Sequence, residues 1–124
     1  MKKTYYKVVK QEDGRRVSIW ATGFAMIEYP PKALVEANPM SAGIFVFTEE
    51  KHARSFSYKC NIKENSPIII KCYGIGPIRR FKTVVDSYKD LIVDWFYTKS
   101  WGPTTPKQEV PLGTVCFNAV QLLE

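Results

Sequence analysis

At 124 residues, with 45% apolar and 14% aromatic content, the chain has the size and composition of a single globular domain spanning residues 1–124, and not of a disordered segment. Its 18 Lys and Arg against 12 Asp and Glu leave a net charge of +6, which favours a negatively charged partner: nucleic acid, an anionic membrane surface or a phosphate-bearing small molecule. Modest positive charge for solubility alone is the plain counter-reading. No segment approaches the roughly 20 apolar residues of a membrane helix, and the opening "MKKTYYKVVKQEDG" lacks a signal-peptide-like apolar run, so a cytoplasmic address is expected.

The stretch "TYYKVVKQEDGRRVSIWATGFAMIEYPP" reads as a β-hairpin, with Tyr6, Val8 and Lys10 alternating with Tyr5, Lys7 and Val9. Asp13-Gly14 supplies the turn signal. The second strand is expected to run long, with Val17, Ile19 and Ala21 on one face. Gly23 would bend it, and Phe24, Met26 and Glu28 would carry it on to Pro30-Pro31, where the ladder loses its donors. "KALVEANPMSA" reads as a connector with one helical turn, closed by Asn38-Pro39. "GIFVFT" is a short buried strand.

Thr48 then caps a helix through "EEKHARSFSYK", with Glu49 and Glu50 favourably placed at its start and Ala53 and Phe56 facing the sheet. "SPIIIKCYGIG" is the next strand. "DSYKDLIVDWFYTKSW" fits helix or strand, and we read it as helical at its front and irregular after Lys99. "GPTTPKQEVPLG" is a loop long enough to be functional, and "TVCFNAVQLL" is the closing strand. The order β-β-β-α-β-(α)-β predicts a mostly antiparallel α+β domain with one or two helices.

Catalytic groups are scarce. The only histidine, His52, is expected on the helix flank, exposed to solvent and without a partner. Asp86, Asp90 and Asp94 recur every four residues, the mark of a solvated helix stripe more than of a tuned carboxylate pair. The three cysteines (Cys60, Cys72, Cys116) form no C-x-x-C, so neither a disulfide framework nor a metal site is expected, and no cofactor. "YGIGP" lacks the third glycine and the following helix of a dinucleotide fingerprint.

The basic cluster "GPIRRFKTV" holds the strongest signal. Arginine presents a planar fork to phosphate, so Arg79 or Arg80 could clamp a phosphate while Phe81 stacks a base. The equal alternative is that Phe81 is a core residue of a strand whose neighbours point to water. Tyr88, Trp95, Tyr97 and Trp101 crowd the stretch before the proline-rich loop, as a pocket or subunit interface would need. Nucleic acid is a less favoured partner. The chain has no helix-turn-helix, GXXG or RNP signature, and its basic residues are spread along it.

"YYKVVK", "VSIWATGFAMIEYPP", "GIFVFTEEKHARSF" and "PLGTVCFNAVQLLE", taken in order, resemble a family of small phage proteins, the Thoeris anti-defence proteins of the first type, which are sponges for cyclic ADP-ribose signals. The resemblance implies a non-catalytic homodimer or higher homo-oligomer in the host cytoplasm. It would sequester a cyclic ADP-ribose isomer, glyco-cyclic ADP-ribose, made by TIR-domain enzymes. Phe81 would stack the adenine, Arg79 or Arg80 would clamp the pyrophosphate, and Thr104, Thr105 and Trp101 of the proline-rich segment would complete the site. The alternative is a phage accessory module that binds nucleic acid or a host protein through its basic and aromatic surface.

Overall fold

The front hairpin forms where the sequence places its turn. β1 (Thr4–Glu12) and β2 (Arg15–Ser18) pair antiparallel, from Glu12 opposite Arg15 to Val9 opposite Ser18. Asp13 and Gly14 join them at φ 53° and 77°, the left-handed pair that a two-residue turn matched to strand twist requires. The computed structural model describes residues 2–19, 26–37, 43–59, 67–80, 83–85, 107–109 and 112–124. At Lys59, 83–85 and 107–109 the description is of the backbone.

Seven strands make the main sheet: β1, β2, β3 (Leu34–Glu36), β4 (Ile44–Phe47), β5 (Pro67–Ile75), β8 (Thr114–Phe117) and β9 (Ala119–Leu122). Among the described residues one helix, α1 (Glu50–Lys59), packs on it, and a separate two-stranded ribbon pairs β6 (Thr83–Val85) with β7 (Lys107–Glu109). All described pairings are antiparallel, so the domain is α+β as expected.

The hydrogen-bonded strand order runs β3-β9-β5-β1-β4-β8, and the bridge from Arg79, beyond β5, to Cys116 of β8 closes it into a ring. β1 lies beside β5, β5 beside β9, and Asn118 alone separates β9 from β8 in the chain; β8 lies beside β4, and Tyr6 of β1 meets Phe47 of β4. A twisted sheet that closes in this way is a small barrel, and its interior is filled by alternate residues of each strand. Tyr5 and Val9, Ile44 and Val46, Ile70 and Cys72, Val115 and Phe117, and Val120 and Leu122 form that interior with Tyr29 and Val35.

The opposite faces of β1, β4 and β5 carry a second cluster under α1. Val8, Ile19, Phe47 and Ala53 are buried there, with Tyr6, Phe56 and Ile69 packed against them. Ala53 and Phe56 thus turn inward as their spacing predicts. The helix begins at Glu50, one residue later than a Thr48 cap would give, and the Glu49 carbonyl accepts from the His52 and Ala53 amides. Glu50 pairs with Arg54 one turn on, at 2.5 Å.

Four expectations need correction. β2 does not run on towards Pro30. Glu28 returns antiparallel beside Val17, with Ser18 N–H donating to the Ile27 carbonyl at 3.0 Å, so the chain reverses between them. The expected connector "KALVEANPMSA" contains strand β3, which pairs with β9. The long loop contains β7, paired with β6. The closing strand is divided at Asn118, where it turns from β4 towards β3 as neighbour. The reading of "DSYKDLIVDWFYTKSW" and the Asn38-Pro39 turn lie outside the described residues.

Candidate functional site

The sequence after β5 is where the barrel closes. Gly76, at φ 91°, takes a backbone conformation that an L side chain rarely adopts, and the chain then docks on β8. The Arg79 N–H donates to the Cys116 carbonyl at 3.0 Å, and the Cys116 N–H donates to the Arg79 carbonyl at 2.8 Å. Upstream, Ile75 faces Ala119. Four steps along one strand therefore match three along the other, which is a bulge, and bulges re-aim the side chains beside them.

Arg79 is consequently held on both sides. Its Nη2 donates to Asn118 Oδ1, the residue at the β8–β9 bend. The same Nη2 lies 2.9 Å from where a Cβ on Gly43 would stand, so the bare backbone at Gly43 makes room for the guanidinium. Its Nε is enclosed and has no acceptor among the described residues. Arg80 beside it is exposed, and no described carboxylate pairs with either arginine. A guanidinium held in place, next to an exposed cation that no described carboxylate neutralises, suits an anion such as phosphate.

Phe81, Trp101, Thr104 and Thr105 lie outside the described residues. The ribbon still relates their attachment points. Phe81 leads into β6 at the Thr83–Glu109 end, whereas Thr104 and Thr105 lead into β7 at the opposite, Val85–Lys107 end. Arg79 is thus tied to the barrel wall through Cys116.

Sequence reasoning did not single out Lys7. It shares the inward side of β1 with Tyr5 and Val9, and that alternation was its signal. Its Nζ donates to the Phe45 carbonyl at 3.0 Å and lies 5.3 Å from the centroid of the Tyr29 ring. Burial lowers its pKa to about 8, a shift that the nearby Cys72 and Cys116 thiols partly offset. Burial in turn pushes both thiols up to about 12, against the pull of Lys7 and, at Cys116, also of Arg79. These thiols are core residues and weak nucleophiles.

His52 departs from its expected place in solvent. Its side chain is 19% exposed, and its Nδ1 would lie 2.2 Å from a Cβ on Gly113, a glycine at φ 82°. The turn before β8 therefore needs glycine to admit the ring. Glu49 lies 3.6 Å away, too long for a hydrogen bond. Among the described residues no group of three or more His, Cys, Asp or Glu is placed to hold a metal ion, and no helix is long and apolar enough to cross a membrane. No family model matches the chain, and no curated protein or solved structure matches it.

Proposed function

We propose that the protein binds a small phosphate-bearing nucleotide of the cyclic ADP-ribose type and sequesters it without converting it. A protein of this kind, acting in the host cytoplasm, would deny a TIR-domain immune enzyme its signal and so blunt anti-phage defence. The observation that carries the reading is Arg79, anchored by Cys116 and Asn118, beside the exposed Arg80, which pairs with no carboxylate among the described residues. Pre-positioned donors lose little freedom on binding, which favours tight capture. Phe81 follows directly and would supply the stacking face for adenine. The family resemblance supplies the cyclic ADP-ribose class, and Trp101, Thr104 and Thr105 would close over the ligand.

A homodimer suits this reading. The outer faces of β3, β9 and β5 away from α1 present Leu34 at 55% and Ile75 at 42% exposure, and Ile78 follows on the same chain segment. Apolar surface of this kind is what a second copy would cover.

Calorimetric titration with a cyclic ADP-ribose isomer, followed by heat release and mass spectrometry of the ligand, tests the proposal. Tight binding with the ligand recovered intact is expected, and Arg80→Ala should weaken it. Recovery of an altered ligand would make the protein an enzyme. Salt-steep binding of oligonucleotides in place of the cyclic nucleotide would move the function to nucleic acid.

A further inference from the structure

We propose that Lys7 is a nucleophilic amine of the barrel, the site at which small carbonyl electrophiles such as aldehydes modify the protein covalently. The inference stands apart from the nucleotide reading and does not depend on it.

The placement of Lys7 is unusual for a lysine. Val9 and Tyr5, its neighbours on the same side of β1, are buried core residues. An ammonium group in such a place normally has a carboxylate partner, as Lys10 has in Glu12 at 3.1 Å. Lys7 has instead one main-chain carbonyl, that of Phe45, and the face of the Tyr29 ring. The titratable groups around it add no negative charge. Tyr29 and Tyr5 are phenols of the interior, and burial keeps the Cys72 and Cys116 thiols protonated. Among the described residues nothing nearby stabilises the charged form enough to replace the water it has lost.

The neutral amine, with its lone pair free, is therefore well populated at neutral pH. At pH 7 its neutral fraction is roughly 300-fold that of an ordinary lysine. Lys7 is only partly buried as a residue, and the labelling experiment below reads directly whether a small reagent reaches its Nζ. In the reaction the Nζ lone pair forms a bond to the carbonyl carbon, the carbonyl oxygen takes up two protons and leaves as water, and a C=N bond results. No oxidant or second reactant is needed. The protonated imine keeps one N–H, enough for the Phe45 carbonyl.

Limited reductive methylation of the native protein tests this, with formaldehyde as the probe and cyanoborohydride to trap the imine, read by peptide mass spectrometry. At pH 7 Lys7 should be methylated at least about tenfold ahead of the exposed Lys51 and Lys71. Its rate should rise with pH to a plateau above about 8. Lys7→Arg, which no longer offers an amine, should lose the early adduct. Labelling of Lys7 no faster than that of Lys51 and Lys71, protection of Lys7 until denaturant is added, or an early adduct that persists in Lys7→Arg would each overturn the proposal.

Discussion

The ring of Phe117 occupies the space that a side chain on Gly74 would need. A Cβ there would come 2.2 Å from Cζ and 2.4 Å from both Cε atoms. Phe117 is also packed edge-on against Tyr5, with ring centroids 4.9 Å apart, so it cannot withdraw without disturbing β1. This contact joins β5, β8 and β1 inside the barrel.

Gly74→Ala should therefore overpack the core, at a cost of about 3 kcal/mol. Phe117→Ala should cost about 4 kcal/mol through the cavity it leaves. The double variant Gly74→Ala/Phe117→Leu should recover part of the first loss, because the smaller side chain gives the new methyl room. Urea denaturation of the three variants checks this. A Gly74→Ala protein as stable as the parent would mean that the ring does not lie against β5.

Lys7 gives the fold a characteristic pH dependence. Its pKa is about 8 when folded and 10.5 when unfolded, so between those values the unfolded chain holds more protons and stability rises with pH. Cys72 and Cys116 act in the opposite sense. Their thiols ionise from 9.0 in the unfolded chain but only near 12 in the fold, so above pH 9 stability falls. Tyr29, also raised by burial, adds to that fall. Stability should be greatest near pH 9, where the rising limb gives way to the fall. Lys7→Met should be more stable than the parent at pH 7 and lose the rising limb. Denaturation midpoints across pH 6.5 to 10 (about half-unit steps suffice) decide it, and an unchanged rising limb in Lys7→Met would assign the slope to another group.

The turn at Asp13-Gly14 offers a cleaner test of backbone cost. Nothing lies within 4 Å of a Cβ on Gly14, so Gly14→Ala creates no clash and its effect is that of φ 77° alone. A loss of about 1 kcal/mol is expected. Gly14→Asn, which tolerates the left-handed region better, should lose less. Equal melting temperatures for parent and Gly14→Ala would show that the turn relaxes to another type.

What the sequence made legible was what neighbours along the chain decide. Asp13-Gly14 sets the hairpin, the Ala53–Phe56 spacing sets the buried side of α1, and "PIIIKCYGI" is apolar enough to be a strand in most contexts. β3 was hidden because Val35 alone of its three residues is buried, and its ladder is made with β9, which lies far along the chain. The return of Glu28 to Val17 and the closure of the barrel through Asn118 are likewise decided by distant partners. At the site, "PIRR" announced its cations. Its anchors, Gly43 and Asn118, have no phosphate-binding signature of their own. Lys7 was visible only as a polar residue between Tyr5 and Val9 on one side of β1, a pattern that gains meaning once that side is known to face the interior.

Asn118 tests whether the arrangement of Arg79 matters to binding. It is exposed and holds the guanidinium through Oδ1, while its backbone carbonyl accepts from Ala37 N–H at 2.8 Å. Asn118→Ala removes the first bond and keeps the second. Stability should change by at most about 1 kcal/mol, as for other exposed charge-assisted contacts. Affinity for the cyclic nucleotide should fall by about tenfold, since the fork must then be ordered by the ligand itself. Arg79→Lys should fall further, because a point charge replaces the two-donor fork. Titration calorimetry beside a thermal melt separates the two effects. Affinities unchanged in both variants would remove Arg79 from the ligand site, and a lowered melting temperature beside them would make it a clasp that closes the barrel.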